Sequence, residues 1–158
     1  MNPQEKFWKM VEASHVAMLT TLHEGKLDSR PMAPFPDRDE GVIHFITRRS
    51  TSAAGDVSAS VPVNVSWADP SREDYVSLGG TARVTQNREK LRSLWNSWAE
   101  AYLPEGPDGA DTALLTVVPD EAVYWDGTSS RIVEKVKTLS ATVTGSPPNL
   151  GERQHVKL

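Results

Sequence analysis

Apolar and polar positions alternate along much of this chain with a period of two, the repeat of strands that bury one face. The stretch 42–60 orders the rest. Val42, Ile43, His44, Phe45 and Ile46 are mostly bulky, β-favouring residues and predict a strand. Thr47, Arg48, Arg49, Ser50, Thr51 and Ser52 follow, and Ala53, Ala54 and Val57 then allow a short helix. A strand ending in hydroxyls and arginines at a helix start suits a phosphate, because free N–H groups, hydroxyl donors and a forked cation converge there. The same residues also suit an ordinary helix capped by Ser50, Thr51 or Ser52, with both arginines in water.

On either side the pattern predicts further elements. Residues 4–14 carry Phe7, Met10, Val11 and Ser14 on one helical face, with Trp8 beside it. Residues 16–22 and 26–32 read as a hairpin turned at His23-Glu24-Gly25. Pro31 and Pro34 make its second strand an edge or bend it away, and Pro36 to Gly41 reads as a polar turn. Residues 63–67 and 75–85 are strands, the latter broken by Gly79-Gly80, which suggests a bulge or a close backbone approach. Leu91, Leu94, Trp95, Trp98 and Tyr102 fall at the spacing of one helix, whose aromatic stripe suits a core or an oligomer contact. Ala113 to Val118 is a strand, Pro119-Asp120-Glu121 a turn, and Ala122 to Asp126 extended. Arg131 to Thr144 is partly extended and partly amphipathic, and residues 145–158 form a polar, proline-rich tail. The sum is mainly β: a small antiparallel barrel with flanking helices, one domain over 1–144 and a tail.

Composition narrows the function. The 158 residues suit one core, and a net charge of −4 without a basic block opposes nucleic-acid binding. There is no cysteine, so disulfides, thiolate nucleophiles and cysteine metal sites are excluded. Neither a signal peptide nor a membrane span is expected, which leaves a cytoplasmic protein by default. The four histidines, at 15, 23, 44 and 155, include no pair at ligand spacing, which disfavours a metal site. No nucleophile elbow, Walker loop or dinucleotide fingerprint occurs. What remains is a borrowed cofactor, with the protein supplying position and charge.

Several short motifs, in order, resemble a known family. They are Leu19-Thr20-Thr21, Ser29-Arg30-Pro31-Met32, Phe45-Ile46-Thr47 with its polar turn, Val63-Asn64-Val65-Ser66-Trp67 and Gly80-Thr81-Ala82-Arg83-Val84. Leu94-Trp95, Tyr124-Trp125-Asp126 and Asn149-Leu150-Gly151-Glu152 complete the series. Together they resemble the flavin-binding split barrels of the pyridoxamine 5'-phosphate oxidase type, above all their bacterial general stress protein branch. The resemblance implies a six-stranded antiparallel split barrel, a homodimer, and FMN in a cleft between the subunits. It implies that the strand of Arg30, Pro31 and Met32 runs along the flavin, with Arg30 near the phosphate. The turn from Thr47 through Ala53, including Arg48, Arg49, Thr51 and Ser52, would cradle that phosphate. Trp125 and Lys135 would approach from the other subunit, and Arg131 resembles the arginine that meets substrate phosphate in the oxidases.

Two departures alter what the resemblance implies. Ala53 stands where the family turn carries a phosphate-binding lysine, and Val133 where the oxidases carry a substrate-pocket histidine. The second argues against oxidation of pyridoxamine phosphate itself. The expected function is therefore a flavin-dependent oxidoreductase acting on an unidentified small molecule, with no side chain assigned to catalysis. The alternative is a non-enzymatic ligand-binding or stress-response module whose flavin site is lost or altered. A deazaflavin in place of FMN lies between the two.

Overall fold

The computed structural model describes residues 2–57, 59–127 and 153–158. It opens with helix α1 (Pro3–Glu12), set by its caps. The Asn2 carboxamide accepts from the Glu5 backbone N–H at 2.8 Å, Glu5 reaches back to Asn2, and Pro3 takes a position where no donor is needed. Phe7, Trp8 and Val11 are its buried face. An ion pair from Lys6 to Asp126 and a hydrogen bond from Gln4 to the Lys157 carbonyl (3.1 Å) tie it down.

The strands are β1 (Ala17–His23), β2 (Lys26–Met32), β3 (Phe35–Asp37), β4 (Val42–Arg48), β5 (Val61–Asp69), β6 (Asp74–Thr85), β7 (Thr112–Trp125) and β8 (Arg153–Lys157). Among the described residues three further helices follow: α2 (Ser52–Asp56), α3 (Arg88–Leu94) and α4 (Ser97–Tyr102). The hydrogen-bonded path runs β2-β1-β5-β6-β7-β4-β3, with β8 added on β7, and the described pairings are antiparallel. The antiparallel, mainly β architecture with flanking helices is as expected. The described path does not close on itself, and the short β3 and β8 raise the strand count to eight.

β7 is the strand that splits. One edge lies along β6, while the other is shared: Thr112 to Val117 pair with β4, and Glu121 to Trp125 pair with β8. Between the two halves the β6–β7 register shifts, Gly80 facing Pro119 and Gly79 facing Glu121, so Asp120 is the extra residue of a bulge. The turn expected at Pro119 is therefore a bulge inside one long strand. Proline lacks a ladder donor, and a bulge beside it is where a strand interior tolerates that loss.

Apolar residues fill two clusters on the two sides of β4. Ile43 and Phe45 join the main core with Phe7, Leu19, Val65 and Leu78. Ile46 faces the other way, with Leu91, Ala99, Leu103 and Leu114 under α3 and α4. Burial on both faces explains why β4 is nearly continuous in apolar residues.

Two further expectations need correction. The single helix predicted through Tyr102 breaks at Trp95, whose backbone is extended (φ −62°, ψ 132°). The Asn96 carboxamide accepts from the Ala99 N–H at 2.8 Å and starts α4 instead. Asparagine competes for backbone donors and so favours a cap over a helix interior. The aromatic stripe is divided accordingly: Leu91 is buried, whereas Trp98 and Tyr102 are exposed and stacked at 5.4 Å. At the chain end, residues 153–157 of the expected tail form β8, with Val156 buried in the main core. Among the described residues, no helix is long and apolar enough to cross a membrane.

Candidate functional site

Alternation along β1 buries Ala17, Leu19 and Thr21 on one face. Arg30 pairs with Leu19 across the hairpin and so shares that face. Its guanidinium donates to Thr21 Oγ1 at 2.7 Å and to Asp28 Oδ2 at 2.8 Å, with 18% of the side chain exposed. These contacts fix the planar fork while leaving part of it at the surface. The next residues, Pro31 and Met32, line a cleft of about 550 Å³. Its other walls are His15 and Val16 before β1, Phe35 on β3, and Trp98 on α4. A cleft of that size, largely apolar, falls in the range of small-molecule sites; Arg30 precedes its wall on the same strand but does not line it.

The turn after β4 is built on hydroxyls. Thr47 is buried, and its Oγ1 lies 3.2 Å from that of Thr51. Thr51 donates to the Arg48 carbonyl at 2.8 Å and accepts from the Ala54 N–H at 3.3 Å, so it is the cap of α2. With the Thr51 proton on that carbonyl, Thr47 is the donor of the pair. Ser52 is the first residue of α2. Helix α2 packs against β1, Ala53 and Val57 sharing the main core with Ala17 and Leu19. Arg30 and the Thr47–Thr51 turn are thus both built onto β1.

The two arginines of the turn are engaged elsewhere. Arg48 pairs with Glu105 and donates to the Tyr102 carbonyl at 3.2 Å. Arg49 donates to Gln86 Oε1 at 3.3 Å. Ala53, at the place of the missing lysine, is 4% exposed and faces the core. Trp125 is half-buried at the end of β7, paired with Tyr75 and Arg153. Thr47 pairs with Ala113, near the start of the same strand. The twelve residue steps from Ala113 to Trp125 make a contour of about 40 Å at ~3.3 Å per step, so Trp125 does not belong to the Thr47 end of its own chain. Arg131, Val133 and Lys135 lie outside the described residues.

Sequence reasoning missed the partners that orient these groups: Thr21 and Asp28 for Arg30, Glu105 for Arg48, and Gln86 for Arg49. The period-two pattern of β1 carries the signal for Thr21, which follows Ala17 and Leu19 on the buried face. The Glu105 contact spans 57 residues and has no local signal.

A profile of the family described as pyridoxamine 5'-phosphate oxidase like matches residues 2–149. A solved structure from Jannaschia sp. CCS1, described as general stress protein 26, superposes with a TM-score of 0.74 at 28% identity, covering 98% of this chain and 97% of that one. A general stress FMN/FAD binding protein from Xanthomonas citri superposes with a TM-score of 0.70 at 26% identity, covering 80% and 90%. Protein bli-3 of Neurospora crassa is 22% identical over 151 residues, 89% of this chain and 72% of that protein.

Proposed function

The chain belongs to the pyridoxamine 5'-phosphate oxidase like family, and from that premise we propose that it is a homodimeric FMN-binding protein serving oxidation and reduction of a small molecule. The observation that carries this reading is on β2. One strand presents a fixed, partly exposed guanidinium at Arg30 and, in the next two residues, the wall of a cleft of about 550 Å³. The similarity to a general stress FMN/FAD binding protein supports the choice of cofactor.

Residue by residue, Arg30 supplies the charge-assisted contact to a phosphate, with Thr21 and Asp28 holding its fork. The Thr47 and Thr51 hydroxyls, on the turn whose helix α2 packs against β1, are offered to the same phosphate in this reading. Pro31 and Met32 offer an apolar bed to a ring and exclude water from that face. The flavin, when bound, supplies one- and two-electron transfer to a partner molecule. Trp125 lies far along β7 from the Thr47 end of its own chain, so its approach to the ring is that of a second subunit.

A second reading is favoured by Ala53, by the Arg48–Glu105 pair and by the Arg49–Gln86 contact. With no lysine at 53 and both neighbouring arginines engaged, the phosphate seat is weaker than the family pattern. The barrel would then be a non-enzymatic ligand-binding or stress-response module. The test is the visible absorption spectrum of the purified protein, before and after excess FMN and removal of unbound dye. A retained flavin spectrum is expected. A colourless protein after both treatments overturns the FMN reading in favour of the module, and retention of a deazaflavin alone would change the cofactor.

A further inference from the structure

The β3–β4 hairpin gathers a group that flavin binding does not use. Asp37 ends β3, Glu40 sits in the turn, and His44 lies in β4. One carboxylate oxygen from each acid and one ring nitrogen of His44 lie within 4.8 Å of one another. The histidine ring is 4% exposed. Its Nδ1 is 2.9 Å from Thr116 Oγ1, which fixes the ring plane. Its Nε2 points toward Glu40 Oε2 at 3.8 Å, beyond hydrogen-bond range, and has no hydrogen-bond partner. Buried ring nitrogens are nearly always satisfied, so one left open toward two carboxylates calls for a ligand.

A cation already visits this corner. Lys90 Nζ on α3 lies 2.8 Å from Asp37 Oδ2 and 3.4 Å from Glu40 Oε1. The ammonium satisfies the carboxylates and leaves Nε2 unpaired. We propose that Asp37, Glu40 and His44 form a binding site for a divalent transition-metal ion of the Zn²⁺ type, which enters in exchange for the Lys90 ammonium.

The donor set fits that class. One imidazole nitrogen with two carboxylate oxygens suits Zn²⁺ and its d-block neighbours and disfavours Mg²⁺ or Ca²⁺, which prefer oxygen alone. With its proton on Nδ1, given to Thr116, the ring presents the Nε2 lone pair, and a hydrogen bond from the other nitrogen is how metal-bound histidines are oriented. Three protein ligands leave a fourth position for water. The ion would pin the hairpin that carries Phe35 and Pro36, both walls of the cleft, and release α3 from its tie to that hairpin.

The test is Zn²⁺ titration by calorimetry of the full chain freed of metal by a chelator, with the Co²⁺ absorption spectrum as a report of coordination. One ion per chain is expected. Lys90→Met removes the competing ammonium and should tighten binding by at least about tenfold, and Glu40→Gln in that background should weaken it by as much or more. Glu40 is 59% exposed, so its substitution does not threaten the fold. Asp37→Asn should act in the same direction. Absence of Zn²⁺ binding to Lys90→Met overturns the proposal. So does binding that Glu40→Gln and Asp37→Asn leave unchanged, which would assign the ion to other histidines.

Discussion

Arg30 shows how one side chain is prepared before any ligand arrives. Thr21 and Asp28 hold its fork, so little rotamer freedom is left to lose on binding. On the proposed FMN reading, Arg30→Ala removes a charge-assisted contact of about 1.5–3 kcal/mol. FMN affinity, read by fluorescence quenching, should fall roughly tenfold to a hundredfold, and the melting temperature should fall as well because the buried Thr21 hydroxyl loses the Arg30 donor. Ala53 gives a different lesson. Its methyl sits in the core beside Val57, so Ala53→Lys must overpack or displace α2. A loss of about 1–3 kcal/mol in denaturant unfolding is expected, and with it no simple recovery of a phosphate contact. Tyr124 sets an alkaline limit. Burial raises its phenol above the ordinary value, while Lys6 lies 6.0 Å from its ring centre. The unfolded chain then ionises this group first, near pH ~10, so its contribution is complete below that pH and is lost as pH rises toward the raised folded value. Tyr124→Phe should make the alkaline fall in stability shallower, measured as melting temperature against pH.

At the scale of elements, the bulge in β7 governs the split of the sheet. A side chain at Gly80 would place Cβ 2.5 Å from the Val118 carbonyl oxygen, whereas at Gly79 the nearest atom is 3.8 Å away. Backbone cannot yield as a flexible side chain can. Gly80→Ala should therefore lose about 1–3 kcal/mol, and Gly79→Ala much less, in parallel urea unfolding curves. The glycine pair marked a bulge or close approach in the sequence, and both are present. Which glycine is essential was not legible, because it depends on the register of a strand nearly 40 residues on. The α3–α4 break has a local cause in Asn96, yet helical spacing of the aromatics outweighed that cap in the sequence pattern. Spacing records which residues are large and apolar, not which of them the core has room for.

For the whole molecule, the outer face of the β1–β2 hairpin carries Leu22 and Leu27 directly opposite one another, 57% and 78% exposed. Paired apolar side chains at that exposure suit a covered surface, and a two-fold partner is the commonest cover. The chain is expected to sediment as a dimer at micromolar concentration. The double variant Leu22→Glu, Leu27→Glu should shift it to monomer and loosen any flavin held between subunits. A monomeric native chain that retains FMN would remove the intersubunit site. The sequence by itself determined most of the strands (β3, the continuity of β7 and β8 excepted), the first hairpin, the polar turn at Thr47 to Ser52 and the kinship of the whole, because alternation, turn chemistry and short motifs are local properties. Only the tertiary structure decided that Arg48 and Arg49 turn to Glu105 and Gln86, that Arg30 rests on Thr21, that β7 is shared by β4 and β8, and that Asp37 and Glu40 meet Lys90 beside His44. Apart from the Arg30–Thr21 contact, which lies within one hairpin, these join residues distant in the chain, fixed by strand register and by the packing of helices on the sheet, and no local pattern encodes either.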